Sequence, residues 1–204
     1  AGLFRVNDID GAEKVGQKPK AGVSYSGVVY PIIHPITRET REFCLRRDTP
    51  DIEQKSDGTV KQKRKYMFSP KARNSFYFPP DVTSEHLQNH QLPIVFTEGN
   101  SKTLSLHHLA TVKDADNPKF LAVGLSGVWN FRGVVAKTQD ENGKRANVKG
   151  LIPDFHLINW ENRKVYIVFD VNVQTNPDVK RARTELASEL VQLGAKPVCV
   201  DLPD

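Results

Sequence analysis

Two runs of apolar, β-prone residues without polar alternation dominate the hydrophobic pattern of this chain: Pro93–Phe96 and Val165–Phe169. Such runs are typical of strands that are buried on both faces of a parallel sheet. An acid follows each run, Glu98 in the first case and Asp170 in the second, and a helix-forming segment comes next. Ligands bind at the carboxyl ends of the strands in open α/β sheets. We therefore expect the two acids to lie on one edge of a sheet, close enough to share a cation.

The rest of the second half alternates predicted strands with predicted helices. The pattern predicts a helix over Ser101–Ala110, a strand over Phe120–Val123, an exposed loop over Gln139–Lys149, a short helix within Leu151–Trp160 and a final strand over Pro197–Val200. The longest helix is predicted between Asn176 and Gly194, because Asn176 suits the N-cap and Pro177 suits the first helical position. Apolar residues then recur at steps of three and four, which indicates a face packed on the sheet.

The first half of the chain predicts short antiparallel strands instead. Strand patterns cover Gly27–Pro35, Glu42–Arg47, Lys65–Phe68 and Ser75–Phe78. Residues 1–22 lack periodicity and are predicted to be an irregular lead-in. We therefore predict three parts: the lead-in at 1–22, a small, mostly antiparallel and basic β unit at 23–80, and an α/β domain at 81–204.

The composition is that of a soluble globular protein, with 38% hydrophobic and 26% charged residues. No stretch approaches the roughly 18 apolar residues that span a bilayer, so we expect no membrane contact. Cys44 and Cys199 are isolated, which favours a reducing compartment and predicts a cytoplasmic location. The start at Ala1 and the stop just after a predicted strand favour the interpretation that the chain is part of a longer protein.

Positive charge is concentrated in one segment. The chain has a net charge of +5, and Ile36–Arg73 alone carries an excess of that size. The candidate nucleic-acid contacts are Lys61, Lys63, Arg64, Lys65, Lys71 and Arg73, with Arg132 as a further candidate. Basic residues interleaved with aromatic ones suit a nucleic-acid strand, because cations bind phosphates and flat rings stack on bases. The alternative is a solvated basic loop whose aromatic residues belong to a small core.

Three short segments together resemble the Toprim fold: Glu98-Gly99, Gly124–Gly127 and Asp170–Asn172. That fold is the metal-binding domain shared by bacterial-type primases, topoisomerases, certain nucleases and recombination proteins. Four segments, Gly124–Asn130, Leu151–Phe155, Val165–Asp170 and Asn176–Ala182, are more closely similar to a Toprim-related family of uncharacterised function, found in replication-type proteins of plasmids, phages and mobile elements. This similarity covers roughly Phe76 to Pro203. It implies an α/β, Toprim-like (Rossmann-like), mainly parallel sheet with flanking helices.

The segment Ile32–Phe78 resembles the small domain that precedes Toprim in primases, where a basic surface guides a single-stranded template. The two resemblances together imply primase-like nucleotidyl transfer on single-stranded DNA or RNA, with nucleotides as substrates. They also imply a neighbouring helicase-type domain in the parent protein. Two alternatives remain open: a metal-dependent nuclease, and a catalytically silent module that binds nucleic acid or nucleotide.

The Toprim resemblance implies a magnesium or manganese site formed by Glu98, Asp170 and Asn172. The family pattern has an acid where this chain has Asn172, and the neutral amide would weaken cation binding. Glu98 would act as general base or acid, or as the ligand of a second ion. Asp170 would hold the cation that neutralises charge on the reacting phosphate.

Candidate phosphate contacts surround these acids. They are Gly99, Asn100, Ser101, Lys102, Gly124, Ser126 and Gly127. The amides of 99–101 would begin a helix, and helix N-termini bind anions. The glycines of the second turn would let a substrate approach the backbone closely. For Lys102, the alternative is an ordinary solvated helix residue.

Overall fold

The computed structural model of the chain describes residues 2–139, 141, 143–170 and 173–203. The chain forms two compact units, Ala1–Ala72 and Arg73–Asp204. Their elements are, in chain order, β1 (Phe4–Val6), α1 (Asp8–Lys14), β2 (Gly27–Ile33), β3 (Thr40–Arg47), β4 (Asp51–Gln54), β5 (Val60–Lys63), β6 (Tyr66–Met67), β7 (Phe76–Tyr77), α2 (Ser84–Gln88), β8 (Ile94–Glu98), α3 (Asn100–Thr111), β9 (Leu121–Leu125), β10 (Arg132–Gln139), β11 (Arg145–Leu151), a 3-10 helix (Pro153–Leu157), β12 (Lys164–Val168), α4 (Pro177–Gln192) and β13 (Lys196–Val200). Across the described ranges, each helix is too short or too polar to span a bilayer.

The first unit contains a four-stranded antiparallel sheet in the order β1-β2-β3-β6 and a separate β4–β5 hairpin. The prediction of an irregular segment at 1–22 is wrong, because this segment contains β1 and α1. Asn7 caps α1 by accepting a hydrogen bond from the amide of Asp10. Ala12 of the helix then packs into a small core with Val29 and Leu45. The first segment is ordered through contacts with distant strands, which its own sequence pattern does not reveal.

The boundary between the two units lies at Ala72/Arg73 rather than at the predicted 80/81. β7 belongs to the larger sheet, where it pairs antiparallel with β9. Phe76 of β7 is fully buried, and its ring lies 5.2 Å from that of Phe96 and 4.8 Å from that of Phe155. Its amide donates to the buried carboxylate of Asp154 at 2.8 Å. Burial of this aromatic residue in the second core therefore determines where the first unit ends.

The second unit is built on a five-stranded sheet in the order β13-β12-β8-β9-β7. Strands β8, β9, β12 and β13 are parallel, and β7 is the antiparallel edge. The predicted helices after Gly99 and after Asn176 are confirmed as α3 and α4. The architecture is thus mixed α/β with several sheets, one of which is a mostly parallel sheet with helices.

Two local predictions in this unit differ from the structure. The segment predicted as an exposed loop over Gln139–Lys149 is largely a hairpin, because β10 pairs antiparallel with β11 over its length. The helix predicted within Leu151–Trp160 is a single short 3-10 helix. Pairing between two polar strands carries no apolar alternation, and the sequence pattern therefore resembles a loop.

A buried arginine connects the loops at the amino-terminal end of the large sheet. The side chain of Arg163 is fully buried and donates hydrogen bonds to four backbone carbonyls: His86 at 2.8 Å, Leu87 at 2.6 Å, Leu92 at 2.8 Å and Asn159 at 3.4 Å. Burial lowers its pKa to about 10. The guanidinium thus satisfies carbonyls at the end of α2 and before β8.

We expect Arg163→Met to lower the free energy of unfolding by about 2–4 kcal/mol, because it leaves buried carbonyls without donors. Urea denaturation of the purified chain measures this change. Arg145→Met, at an exposed position of β11, is the matched control and should change stability by less than about 0.5 kcal/mol. Equal effects of the two substitutions would show that the carbonyl contacts contribute little.

Candidate active site

The two predicted acids lie at the carboxyl ends of adjacent parallel strands. β8 and β12 are hydrogen-bonded neighbours, with Thr97 opposite Val168 in the register. Glu98 is the last residue of β8, and Asp170 follows β12 by two positions. From β8 the chain proceeds to β9 on one side, and from β9 it returns to β12 on the other side. The acids are therefore at the point where the strand order reverses, which is where open α/β sheets form a ligand crevice.

The structure brings the two acidic side chains together around the ammonium of Lys102. The carboxyl groups of Glu98 and Asp170 lie close enough for each to shift the pKa of the other. The ammonium of Lys102 contacts Asp170 Oδ1 directly and lies 3.5 Å from Glu98 Oε1. The Glu98 side chain is only 17% exposed, whereas that of Asp170 is 44% exposed. The site thus contains a mostly buried acid (Glu98), a more exposed acid (Asp170) and the long cationic side chain of Lys102.

This arrangement moves the two acid pKa values in opposite directions. Burial, followed by the hydrogen bond and the negative charge of Asp170, raises the pKa of Glu98 to about 7. Burial alone would also raise the pKa of Asp170, but hydrogen bonds from Glu98 and Lys102 and the charge of Lys102 outweigh it and lower that pKa. Near neutral pH, Asp170 is ionised and Glu98 exchanges a proton readily.

The predicted phosphate contacts at the start of α3 lie beside the acids. Gly99 adopts a φ of +87°, and nothing lies within 4 Å of the position that a Cβ would occupy. No side chain caps the N-terminus of α3, so the amides of its first turn, from Asn100 to Lys102, donate to no capping side chain. Uncapped amides at a helix N-terminus attract anions. Within the described residues, the buried Asn100 Nδ2 also has no hydrogen-bond partner.

The segment at the end of β9, which was predicted to contact phosphate through Gly124, Ser126 and Gly127, has a partly different role in the structure. Gly124 is buried within β9, and an added Cβ would lie 2.3 Å from Thr103 Oγ1. Its small size therefore permits α3 to pack on the sheet and leaves no room for a phosphate. Ser126 donates to Asn100 Oδ1 at 3.1 Å, which joins this turn to the start of α3. Gly127 has a φ of +141° and is followed by a turn in which Asn130 donates to the Ser126 carbonyl.

Most of the predicted nucleic-acid contacts belong to the first unit. Lys61, Lys63, Arg64, Lys65 and Lys71 are exposed residues of the first unit. Lys63 pairs with Glu53, and the Arg64 guanidinium lies 3.4 Å from Asp51. Arg73 is an exposed residue at the start of the second unit.

Arg132 is held by an ion pair within the second unit. Its guanidinium lies 2.9 Å from the carboxylate of Glu185 on α4. Its Nε is buried and has no hydrogen-bond partner in the described part of the chain. Because the charge is already paired, Arg132 is a weaker candidate for nucleic-acid contact than the exposed lysines.

The role of Lys102 as a partner of both acids was not predicted. Its four-residue spacing from Glu98 was a usable signal, since α3 begins two residues after that acid. The contact with Asp170 had no such signal, because 68 positions separate the two residues. Trp129 is partly buried against the core of this unit, and its indole donates to Asp178 at 3.1 Å and lies beneath the Arg181 guanidinium.

The donor chemistry of the acid pair fits a magnesium or manganese ion. Mg²⁺ is usually bound by one or two carboxylates together with water and substrate phosphates. Glu98 and Asp170 supply two carboxylates that converge on the ammonium of Lys102, a positive charge already at the site. Asn172, the third predicted ligand, lies outside the described residues. Among the described residues, no group of three or more His, Cys, Asp or Glu side chains forms a metal cluster.

Comparison with known protein families gives one match for this chain. The second unit is an α/β domain whose acid pair lies at the carboxyl edge of a mostly parallel sheet. A family model described as "Domain of unknown function (DUF3854)" matches residues 84–204, which is more than half of the chain. The chain therefore belongs to that family. No curated protein and no solved structure gives a significant match.

The raised pKa of Glu98 predicts a pH dependence of stability. Between its ordinary pKa of 4.5 and the folded value of about 7, the folded state binds more protons than the unfolded state. The free energy of unfolding should therefore fall as pH rises through this window. Glu98→Gln should reduce that fall, because a neutral amide does not titrate. Urea denaturation at pH 5 and at pH 8 measures both slopes.

Glu161→Gln, at an exposed position of the same unit, is the control and should retain the wild-type dependence on pH. If Glu98→Gln and the wild type lose stability in parallel between pH 5 and pH 8, the Glu98 pKa is not raised.

Proposed function

We propose that the second unit is a Toprim-like domain that supports phosphoryl transfer on nucleic acid with a divalent cation, and that the reaction is primase-like nucleotidyl transfer. The observation that carries the proposal is the convergence of Glu98 and Asp170, which are 72 positions apart in the sequence, on the ammonium of Lys102. Their position at the point of strand reversal supports it further, because substrates of open α/β sheets bind there.

The two carboxyl groups have different roles in this proposal. Groups whose environments separate their pKa values form acid–base pairs in many active sites. Glu98, with a pKa of about 7, would accept the proton of the attacking hydroxyl as general base and release it to the leaving group as general acid. Asp170 remains ionised beside Lys102 and supplies the permanent negative charge of the site.

Glu98 and Asp170 would hold the cation, with Asn172 as a neutral third ligand. The bound ion would neutralise negative charge on the reacting phosphate. Lys102 is 43% exposed, so its side chain has room to leave the carboxylates for a phosphate oxygen. The uncapped amides of Ser101 and Lys102 would bind the same phosphate group.

The first unit supports primase-like synthesis over other reactions of this class. Its exposed lysines, Lys61, Lys65 and Lys71, would bind the phosphates of a single-stranded template without reading its sequence. The partners under this proposal are single-stranded DNA or RNA, nucleotides and a neighbouring helicase-type domain in the parent protein. A cytoplasmic location is part of the same proposal.

A second candidate is a catalytically silent module that binds nucleic acid or nucleotide. The observation in its favour is Lys102, whose ammonium contacts both carboxylates where a cation would otherwise bind. A permanent internal cation would stabilise the acid pair and leave the amides of α3 to bind phosphate.

Titration with Mg²⁺ or Mn²⁺ separates these candidates. Under the leading proposal the wild type binds the ion, and Glu98→Gln and Asp170→Asn each weaken binding by about 10-fold or more, because each removes one of two carboxylate ligands. Lys102→Gln should bind the ion more tightly, since it removes a competing positive charge. Calorimetry measures all four affinities.

Asp116→Asn, an exposed acid in the same unit, is the control and should bind as the wild type does. Absence of binding to the wild type, with or without DNA present, would leave the silent module as the better proposal.

Incubation with a single-stranded template separates synthesis from cleavage. With template, nucleotides and Mg²⁺ we expect new oligonucleotides, and with template alone we expect intact DNA. Asp170→Asn should reduce synthesis by about 10²-fold or more, because removal of one catalytic group removes a rate contribution of this size. Gel electrophoresis of labelled products measures both reactions, and shortened template in place of product would indicate a nuclease.

A further inference from the structure

The hairpin of β10 and β11 projects polar and basic side chains that none of the proposed chemistry uses. The two strands pair from Arg132 opposite Leu151 to Gln139 opposite Arg145, with one irregularity between Val134 and Ala136. Residues from Val134 to Thr138 and from Ala146 to Val148 are exposed. The hairpin therefore offers two accessible faces.

All the basic residues on its paired positions lie on one of these faces. Residues directly opposite each other in an antiparallel pair share a face, and the faces alternate along each strand. The first face, named here the basic face, carries Arg132, Val134, Lys137, Gln139, Arg145, Asn147, Lys149 and Leu151. The other face carries Gly133, Ala136, Thr138, Ala146, Val148 and Gly150. Val135 joins the uncharged face, because an added Cβ on Gly150 would lie 3.1 Å from it.

The base of the hairpin is anchored in the core of the second unit. Phe131 and Ile152, which flank the two strands, are both buried, and the Ile152 amide donates to the Phe131 carbonyl at 3.1 Å. The ion pair between Arg132 and Glu185 adds a contact with α4. The paired strands thus extend from a fixed base.

Three cations of the basic face are available to a partner. Lys137, Arg145 and Lys149 are exposed and make no ion pair within the described part of the chain. Residues of one face recur along a strand about every 7 Å. The three charges therefore form a row along the ribbon. The amide of Asn147 lies opposite Lys137, and that of Gln139 lies opposite Arg145. This pattern of charge is complementary to a phosphate backbone.

We propose that the basic face of the β10–β11 hairpin binds B-form duplex DNA. The strands of a hairpin lie about 4.8 Å apart, and a two-stranded ribbon fits the major groove, which is about 12 Å wide. Lys137, Arg145 and Lys149 contact phosphates, while Asn147 and Gln139 face base edges. The segment 132–151 contains no aromatic residue, which disfavours a single strand, because single strands bind through stacking.

This inference goes beyond the proposed function, because it requires neither the acid pair nor a cation. β10, the first strand of the hairpin, follows β9 in the chain. The carboxyl end of β9 lies at the same sheet edge as Glu98. Duplex held by the hairpin would therefore lie near the edge that carries the acids.

The experiment uses the full chain and the triple variant Lys137→Gln, Arg145→Gln, Lys149→Gln. Fluorescence anisotropy measures binding to a 20-base-pair duplex and to one of its strands between 50 and 200 mM salt. The slope of log affinity against log salt should fall by about 0.9 for each lost phosphate contact, or about 2.7 in total. Affinity for the duplex at 0.1 M salt should fall on the order of 10²-fold. Affinity for the single strand should change little.

The matched control neutralises three exposed lysines elsewhere in the second unit, Lys113, Lys119 and Lys196, by the same Lys→Gln change. Its duplex slope should remain that of the wild type. The triple variant should bind Mg²⁺ with the wild-type affinity in calorimetry, so failure of the proposed chemistry is distinguishable from failure of this inference.

Thermal unfolding by circular dichroism verifies that the triple variant folds. If it does not, the single variants Lys137→Gln and Lys149→Gln replace it, each with an expected slope change of about 0.9. An unchanged duplex slope would overturn the proposal. An equal or greater loss of single-strand affinity would also overturn it, since the partner would then be a single strand.

Discussion

Parallel pairing of β12 beside β8 is the constraint on which the candidate site depends. It places Val168 opposite Thr97 and so brings Asp170 next to Glu98. Each intervening strand would separate the acids by a further 4.8 Å or so. The same pairing makes this edge the point of strand reversal, because the chain leaves β8 on one side and returns to β12 on the other. The convergence of the acids and their position at the point of strand reversal therefore share one structural cause.

Two carboxylates at a partly buried edge repel each other unless charge is removed or balanced. The protein does both. Glu98 keeps a proton to a pKa of about 7, and Lys102 balances the charge that remains on Asp170. The same repulsion between the carboxyl groups allows Glu98 to exchange its proton, and it allows another cation to take the place of Lys102. The acid–base properties of this edge thus follow from how the fold balances the charges of the two carboxyl groups.

Much of the second unit was predictable from local patterns. The apolar runs of β8 and β12, the Asn176 cap and the apolar stripe of α4 are confirmed, because burial on both faces and capping leave signals within a few residues. β1 and the β10–β11 hairpin were not predicted, and the unit boundary was predicted at the wrong position. Each depends on pairing or burial against distant residues, as Phe76 shows by packing on Phe155.

The sequence by itself determined which chemical groups the site has: two acids at strand ends, a lysine four positions after the first, and glycines in the turns. Tertiary structure alone decided what those groups do to one another. Desolvation of Glu98, the contact of Lys102 with Asp170 and the common face of Lys137 and Lys149 depend on which distant segments lie alongside. Electrostatic interactions fall with distance and strengthen with burial, and neither quantity is encoded in local order.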